Sequence, residues 1–297
     1  MKTETGLNIR EDSGVLTIEG IRDFDTDHIF DCGQCFRWER NPDGSYTGMA
    51  HGHPVTISCR DETLEITNCT AADFEHTWHE YLDLGRDYGA IKKVLADGDP
   101  VMAKAIEYGS GIRILNQEKW ETFISFIISQ NNNIPRIKGC IESLCRNLGE
   151  YAGKYGGKEW YSFPSPQVLA EASEEDLAPC RLGYRAKYLL AAGRQVTEAG
   201  EGALEKLASD ELTADETIEE LRRYTGVGPK VASCIALFAM GRMESFPIDV
   251  WVKRVMNQLY GIPEGDTGAM RRYAAEHFGQ YGGIAQQYLF YYITHAR

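Results

Sequence analysis

Short stretches of alternating apolar and polar residues mark the first hundred residues. The runs VLTIEG (15–20), VTISC (55–59) and TLEITN (63–68) alternate with a period of two, and turn signals such as NPDG separate them. This period is typical of half-buried β-strands. The pattern therefore predicts an antiparallel β-sheet.

Helical periodicity begins near Ala71 and dominates from about Asp99 onward. The run KWETFISFIIS (119–129) is apolar on all sides, which predicts a buried central helix. We expect an α+β fold with two domains: an N-terminal domain with an antiparallel sheet and helices (1–105), then an all-helical domain (106–297).

Composition favours a folded protein, because 43% of the 297 residues are hydrophobic. The chain contains neither an apolar run of membrane-spanning length nor an apolar segment behind the first charged residues. We expect a soluble protein that is not exported and has no membrane partner.

The eight cysteines are scattered, which favours free thiols in a reducing compartment over a disulfide framework. Cys32 and Cys35 form a single CxxC pair. Packing in a turn is the first interpretation of this pair, with a redox pair or half a zinc site as alternatives. We expect no metal and no cofactor.

The net charge of −13 disfavours phosphate binding on average, but the acidic residues are concentrated, notably between 201 and 220. Three segments carry basic residues and no acidic ones: 131–140, 181–194 and 222–230. A site for a polyanion is expected on these segments, although solvated helix faces would explain each of them singly.

The segment TADETIEELRRYTGVGPKVASCIALF (213–238) predicts helix, tight turn and helix, with the second helix starting at Pro229. Gly226 and Gly228 permit positive φ angles and leave backbone N–H groups uncovered, so the turn could hold a phosphate. An ordinary helical hairpin is the alternative. This predicted helix-hairpin-helix covers about 214–240.

Lys230 falls in the first turn of that second helix. The positive end of a helix dipole disfavours an ammonium, so we expect the neutral amine to gain and to be available as a nucleophile. A surface lysine with its head in water is the alternative.

Asp249 follows Pro247 and precedes an amphipathic helix, so it is most simply an N-cap. A helix over 229–241 spans about 18 to 20 Å. An extended connector over 242–248 reaches back roughly 23 Å. Asp249 is therefore able to lie beside Lys230, where its carboxylate could orient the amine or stabilise positive charge.

Two motifs together, GVGPKVA and PIDVWVKRV, resemble the helix-hairpin-helix DNA glycosylases. Three further stretches resemble the 8-oxoguanine DNA glycosylase branch: CGQCFRW (32–38), SFIISQNNNIPRI (125–137) and LGYRAKY (182–188). The resemblance implies a bifunctional glycosylase and lyase of base excision repair that flips 8-oxoguanine out of double-stranded DNA. Lys230 matches the nucleophile that forms a Schiff base, and Asp249 matches the aspartate that stabilises the cationic sugar.

The resemblance also implies a base pocket. Gly33 matches the residue whose carbonyl reads the N–H group that oxidation creates on the base. Gln286 matches the reader of the pairing edge, while Phe290 and Cys234 match the two faces of the pocket. Without the resemblance, Phe290 and Cys234 would be interpreted as core residues.

Opposite the lesion, Arg136 and Arg185 match the family's readers of cytosine. Asn131 matches the residue that fills the gap in the stack, and Tyr184 matches the wedge beside the orphaned base. Asn132 and Asn133 are interpreted only as helix-end residues, and Trp251 receives no role, since some family members carry histidine there.

Two other functions were weighed. An alkylpurine glycosylase shares the fold and the aspartate but as a rule lacks the lysine, and a noncatalytic helix-hairpin-helix protein would need neither Lys230 nor Asp249. The cysteine loop of the iron–sulfur relatives is missing, since no cysteine follows Cys234. We expect a monomer located with the DNA, in the cytoplasm or nucleoid of a bacterium or in a eukaryotic nucleus.

Overall fold

The N-terminal lobe is built on one antiparallel sheet in the computed structural model, which describes residues 7–296. Its strands are β1 (Asn8–Asp12), β2 (Val15–Glu19), β3 (Trp38–Arg40), β4 (Tyr46–Ala50), β5 (His53–Arg60) and β6 (Thr63–Thr67). Their order across the sheet is β1-β2-β6-β5-β4-β3. The predicted sheet is confirmed, and the three predicted runs correspond to β2, β5 and β6.

One face of this sheet is apolar because its register aligns the alternating residues of neighbouring strands. Leu16 pairs with Ile66 and Ile18 pairs with Leu64, and all four side chains are buried. Ile57 on β5 also pairs with Ile66, so the apolar face continues across three strands.

Most of the helices follow the sheet along the chain and make up the second lobe, whereas the first lies between β2 and β3. They are α1 (Thr26–Phe30), α2 (Ala71–Asp73), α3 (His79–Tyr81), α4 (Tyr88–Ala96), α5 (Pro100–Tyr108), α6 (Lys119–Ser129), α7 (Ile134–Leu148), α8 (Pro166–Glu171), α9 (Arg185–Ala199), α10 (Ala203–Leu207), α11 (Ala214–Leu221), α12 (Pro229–Phe238), α13 (Val250–Tyr260), α14 (Thr267–His277) and α15 (Gly282–His295). A π-helical turn (Phe74–Trp78) joins α2 to α3, and 3₁₀ turns occupy Ala178–Cys180 and Gly279–Tyr281. The expected α+β class is confirmed. Within residues 7–296 no helix is long and apolar enough to cross a lipid bilayer.

Helix α6 is the predicted central helix. Every residue from Thr122 to Ile128 is buried, so all of its faces contact protein. A helix surrounded in this way needs apolar residues at every position rather than a single stripe.

A two-stranded hairpin interrupts the helical lobe and was not predicted. It consists of β7 (Tyr151–Tyr155) and β8 (Lys158–Tyr161). The Tyr155 hydroxyl donates to Thr56 Oγ1 at 3.0 Å, which ties the hairpin to β5 of the first lobe. Exposed and charged residues dominate the hairpin, so its sequence lacks a clear apolar alternation.

Two hydrophobic cores lie on either side of the junction between the lobes. The sheet core includes Trp38, whose indole Nε1 donates to Tyr81 Oη at 2.9 Å. The helical core includes Tyr88 and Leu95 of α4 as well as the later helices. The predicted domains begin at residue 1 and end at residue 297, which lie outside the described residues, and their boundary at residue 105 stays a prediction.

Close packing of α8 on α9 predicts the effect of a single methyl group. A Cβ atom at Gly193 would lie 2.8 Å from the backbone N of Ala170, so Gly193→Ala should lower the free energy of unfolding by about 1–3 kcal/mol. At Gly139, on the exposed side of α7, a Cβ atom would meet nothing within 4 Å. Gly139→Ala should therefore raise stability by about 0.5–1 kcal/mol. Urea unfolding measures both, and equal shifts would contradict the packing argument.

Candidate active site

A small cavity of about 60 Å³ lies between the N-terminal ends of helices α12 and α13, the helix α15 and the loop that follows α1. Its lining is Cys32, Gly33, Phe126, Lys230, Cys234, Phe238, Pro247, Asp249, Gln286, Gln287 and Phe290. The structure thus brings together all six residues that the sequence analysis assigned to catalysis and base binding.

The turn between α11 and α12 presents Lys230 to this cavity. Pro229 begins α12 as predicted, which leaves Lys230 in the first turn. Gly226 has φ +85°, and a Cβ atom there would lie 2.4 Å from Tyr188 Cγ, so only glycine fits. Gly228 caps the helix with φ −83°, so of the two glycines only Gly226 adopts the positive angle that glycine permits.

The pKa of Lys230 is raised, so the prediction of a favoured neutral amine is wrong. Negative charge on Cys234 and the carboxylate of Asp249 stabilise the ammonium more than burial destabilises it. Burial also raises the pKa of the Cys234 thiol, and the neighbouring Lys230 ammonium opposes that rise. The Lys230 Nζ atom also lies 5.7 Å from the ring centroid of Phe126, within cation–π range.

Asp249 is the N-cap of α13, as predicted. Its Oδ1 accepts from the backbone N–H groups of Trp251 at 2.9 Å and Val252 at 2.8 Å. Among residues 7–296 no donor binds its second oxygen, Oδ2, and no ion pair within 4 Å joins it to Lys230. The carboxylate is therefore oriented by the helix while one oxygen stays available to a ligand.

Gln286 and Phe290 lie one turn apart on α15. Gln286 is only 4% exposed, and within the described chain its side-chain oxygen Oε1 is buried without a hydrogen-bond partner. A buried amide oxygen without a hydrogen-bond partner lowers the free energy of unfolding, and a ligand that donates a hydrogen bond to it would remove this cost. The Phe290 ring covers Gly33, which has φ +78°, and would be 3.6 Å from a Cβ atom built there.

A second group of predicted residues lies beside the turn between α11 and α12, the helix-hairpin-helix turn. Asn131 has a left-handed backbone, with φ +47°, and is exposed. Arg136 is exposed and Tyr184 is half exposed. Arg185, by contrast, is 3% exposed, and its guanidinium donates to the carbonyl oxygens of Gln130, Asn131 and Leu182.

These contacts join the three basic segments predicted from the sequence. Arg136 Nη2 reaches the carbonyl of Arg181, which links 131–140 to 181–194. Tyr188 packs under Gly226, and Gln130 Nε2 donates to the Gly226 carbonyl at 2.8 Å. These two contacts link both segments to the helix-hairpin-helix turn. These contacts bring the three basic segments together, and the last of them ends at Lys230 in the cavity.

The sequence analysis missed Phe126, Gln130 and Gln287. Phe126 belongs to a helix that is apolar throughout, so no single residue in it stands out. Gln287 neighbours Gln286 in the pair Gln-Gln, and nothing local distinguishes a glutamine that faces a ligand from one that faces the backbone.

The eight cysteines are free thiols, as expected. Cys32 and Cys35 are buried, and Cys32 Sγ donates to the Ile29 carbonyl at 3.2 Å, in agreement with packing in a turn. Within residues 7–296 no three histidine, cysteine or acidic side chains are arranged to hold a metal ion.

Comparison with known proteins gives consistent matches over both lobes. Residues 17–123 match the family described as "8-oxoguanine DNA glycosylase, N-terminal domain", and residues 124–280 match the "HhH-GPD superfamily base excision DNA repair protein". The chain is 34% identical to the N-glycosylase/DNA lyase of Saccharomyces cerevisiae, over 79% of this chain and 68% of the relative. It is 30% identical to the N-glycosylase/DNA lyase OGG1 of Arabidopsis thaliana, over 88% and 75% respectively.

A solved structure is similar over nearly the whole chain. It is the Clostridium acetobutylicum 8-oxoguanine glycosylase/lyase in complex with double-stranded DNA containing cytosine opposite 8-oxoguanine. The identity is 42%, the TM-score is 0.92, and the match covers 97% of this chain and 98% of that one.

The electrostatic coupling in the cavity predicts a shift in the titration of Lys230. Asp249→Asn removes a negative charge that raises the pKa of Lys230, so that pKa should fall. NMR of ¹⁵N-labelled lysine side chains follows the titration. The control is Asp266→Asn, which alters another helix N-cap, on α14. Identical Lys230 titrations in wild type and Asp249→Asn would contradict the coupling.

Proposed function

The chain belongs to the HhH-GPD superfamily of base excision DNA repair proteins, in its 8-oxoguanine DNA glycosylase branch, and we propose that it excises 8-oxoguanine and then cleaves the strand. In this proposal the protein is a bifunctional DNA N-glycosylase and lyase. Its substrate is double-stranded DNA that carries 8-oxoguanine opposite cytosine.

One observation carries the proposal. Lys230, Asp249 and the unpartnered Oε1 of Gln286 open onto the same cavity. Excision of a polar, flipped-out base requires a nucleophile, a carboxylate and a buried amide whose hydrogen-bonding group is free to bind the base.

The reaction begins with attack of the Lys230 amine on C1′ of the flipped nucleotide. The N-glycosidic bond breaks, and the base leaves with its electron pair while Asp249 stabilises the positive charge on the sugar. The amine must first lose the proton that its raised pKa retains, and the departing base takes one up, so the proton count balances. The C1′–O4′ bond then breaks, and O4′ takes a proton from the attacking nitrogen, so that the open sugar carries a protonated Schiff base at C1′. The Schiff base acidifies the C2′ proton, whose loss expels the 3′ phosphate.

Base selection uses hydrogen bonds in a site that excludes water. Gln286 would pair its free amide oxygen with a donor on the pairing edge of the base. Oxidation turns a ring-nitrogen acceptor into an N–H donor, which the Gly33 carbonyl would accept. Phe290 and Cys234 would enclose the two faces of the base.

The three basic segments beside the cavity (131–140, 181–194 and 222–230) would bind the duplex around the lesion. Exposed Arg136 would donate to cytosine, and Arg185 would contribute there in addition to its bonds to backbone carbonyls. Asn131 would fill the gap in the stack and Tyr184 would wedge beside it. The hairpin glycines Gly226 and Gly228 would let backbone N–H groups approach a phosphate.

The other assignments stay as expected from the sequence. The protein acts with the DNA of the cell, as a monomer and with no cofactor. The alternatives explain less of the cavity: an alkylpurine glycosylase as a rule lacks the lysine, and a noncatalytic binding module would need neither Lys230 nor Asp249.

Removing the amine tests the reaction. Lys230→Gln should abolish both base release and strand cleavage, because neither the attack nor the Schiff base remains possible. Borohydride trapping on a labelled duplex with 8-oxoguanine opposite cytosine should give a covalent band with wild type and none with Lys230→Gln. Asp249→Asn should slow trapping with little loss of lesion binding. Normal turnover by Lys230→Gln would overturn the proposal.

The exposed guanidinium of Arg136 is expected to contribute to the preference for cytosine over adenine opposite the lesion. Arg136→Ala should lower the preference for cytosine over adenine opposite the lesion by about tenfold, since direct contacts to a base contribute about 1–3 kcal/mol to discrimination. Single-turnover rates on the two duplexes measure it. Arg146→Ala, at the other end of α7, removes the same charge where it pairs with Glu142 and should leave the preference unchanged. Unchanged ratios in both variants would remove Arg136 from this role.

A further inference from the structure

We propose that Gln287 is a positioning residue that sets the discrimination between 8-oxoguanine and guanine by holding the loop that carries the Gly33 carbonyl. This inference rests on the proposed function, in which that carbonyl reads the oxidised base. Gln287 itself touches no reacting atom in this assignment.

Gln287 bridges two walls of the cavity that are far apart in the sequence. It is 2% exposed, and its amide Nε2 donates to the Cys32 carbonyl at 3.1 Å. Its neighbour Gln286 and the ring of Phe290 belong to the same helix, α15, while Gly33 follows Cys32 directly. This hydrogen bond therefore connects α15, which carries Gln286 and Phe290, with the loop whose Gly33 carbonyl would read the base.

The other side of Gly33 is held by Gln34, which is fully buried. Its Nε2 donates to the carbonyls of Ile29 at 2.9 Å and Arg113 at 2.8 Å, and its Oε1 accepts from the N–H of Leu115 at 2.9 Å. Gly33 is thus a flexible residue, with φ +78°, between two anchored neighbours. The direction of its carbonyl is decided by those two anchors.

The two anchors differ in what they connect. Gln34 ties the loop to the junction between the lobes, so its loss would disturb the fold. Gln287 ties the loop to α15 and so maintains the distance between Gly33 and Gln286. Hydrogen bonds weaken steeply with distance and angle. A small displacement of the loop from α15 would therefore weaken the hydrogen bond from the oxidised base to the Gly33 carbonyl, and with it the discrimination against guanine.

Strand cleavage at an abasic site provides an internal reference. That reaction needs Lys230 and Asp249, which α12 and α13 present, but it involves no base. Loss of the Gln287 bond should therefore reduce discrimination and leave abasic-site cleavage intact, whereas general damage to the fold would lower both.

The experiment compares Gln287→Met, which has similar length but no donor, with Gln287→Asn, which keeps the amide but is too short to reach Cys32. Affinities for duplexes with 8-oxoguanine or guanine opposite cytosine are measured in the Lys230→Gln background, and abasic-site cleavage is measured with Lys230 present. Both variants should lower the lesion-over-guanine affinity ratio by about tenfold or more. Abasic-site cleavage should stay within about twofold of wild type.

The matched control is Tyr260→Phe, which removes a hydrogen bond to the buried Asp99 at the far end of α13 and should leave the ratio unchanged. A wild-type ratio in both Gln287 variants, or parallel loss of the ratio and of abasic-site cleavage, would overturn the positioning role. Lack of lesion preference in the protein with native Gln287 would contradict the proposed function, and the positioning role with it.

Discussion

The reversal of the chain between α12 and α13 is the constraint on which the cavity depends. Residues 239–248 must turn back along α12 so that Asp249 returns to the level of Lys230. Buried Arg242 holds this connector by donating to Thr217 Oγ1 and to the carbonyls of Leu207 and Ser209. Without such bonds a ten-residue connector would be free to place the carboxylate elsewhere.

The same connector also positions the third helix of the cavity. Gly283 N–H donates to the Met243 carbonyl at 2.7 Å, and a Cβ atom at Gly283 would lie 2.8 Å from the Ser245 carbonyl oxygen. The Ser245 hydroxyl in turn donates to the Ser233 carbonyl of α12 at 2.9 Å. Three helices that carry Lys230, Asp249 and Gln286 are thereby held in one geometry by a single connecting segment.

Charge is distributed in opposite senses over the molecule as a whole and around the cavity. The net charge is −13, yet the three segments that Arg136, Arg185 and Tyr188 join carry basic residues and no acidic ones. Inside the cavity a single carboxylate balances the ammonium of Lys230. In an acidic protein a polyanion is attracted where basic residues are grouped, and here the three basic segments meet at the turn that carries Lys230.

Local features were determined by the sequence itself. Proline at the start of α12, aspartate as the cap of α13, the alternating strands and the buried α6 all depend on near neighbours and on periodicity, and all were predicted. The motifs also identified six of the eleven residues that line the cavity. Only the tertiary structure decided the direction of the Lys230 pKa, the extended backbone of Gly228, the β7–β8 hairpin and the bond from Gln287 to Cys32. The Lys230 pKa depends in part on Asp249, and the Gln287 bond depends on Cys32, which is far away in the chain. The strength of an electrostatic or hydrogen-bonding contact is a function of distance in space, which a linear pattern does not contain.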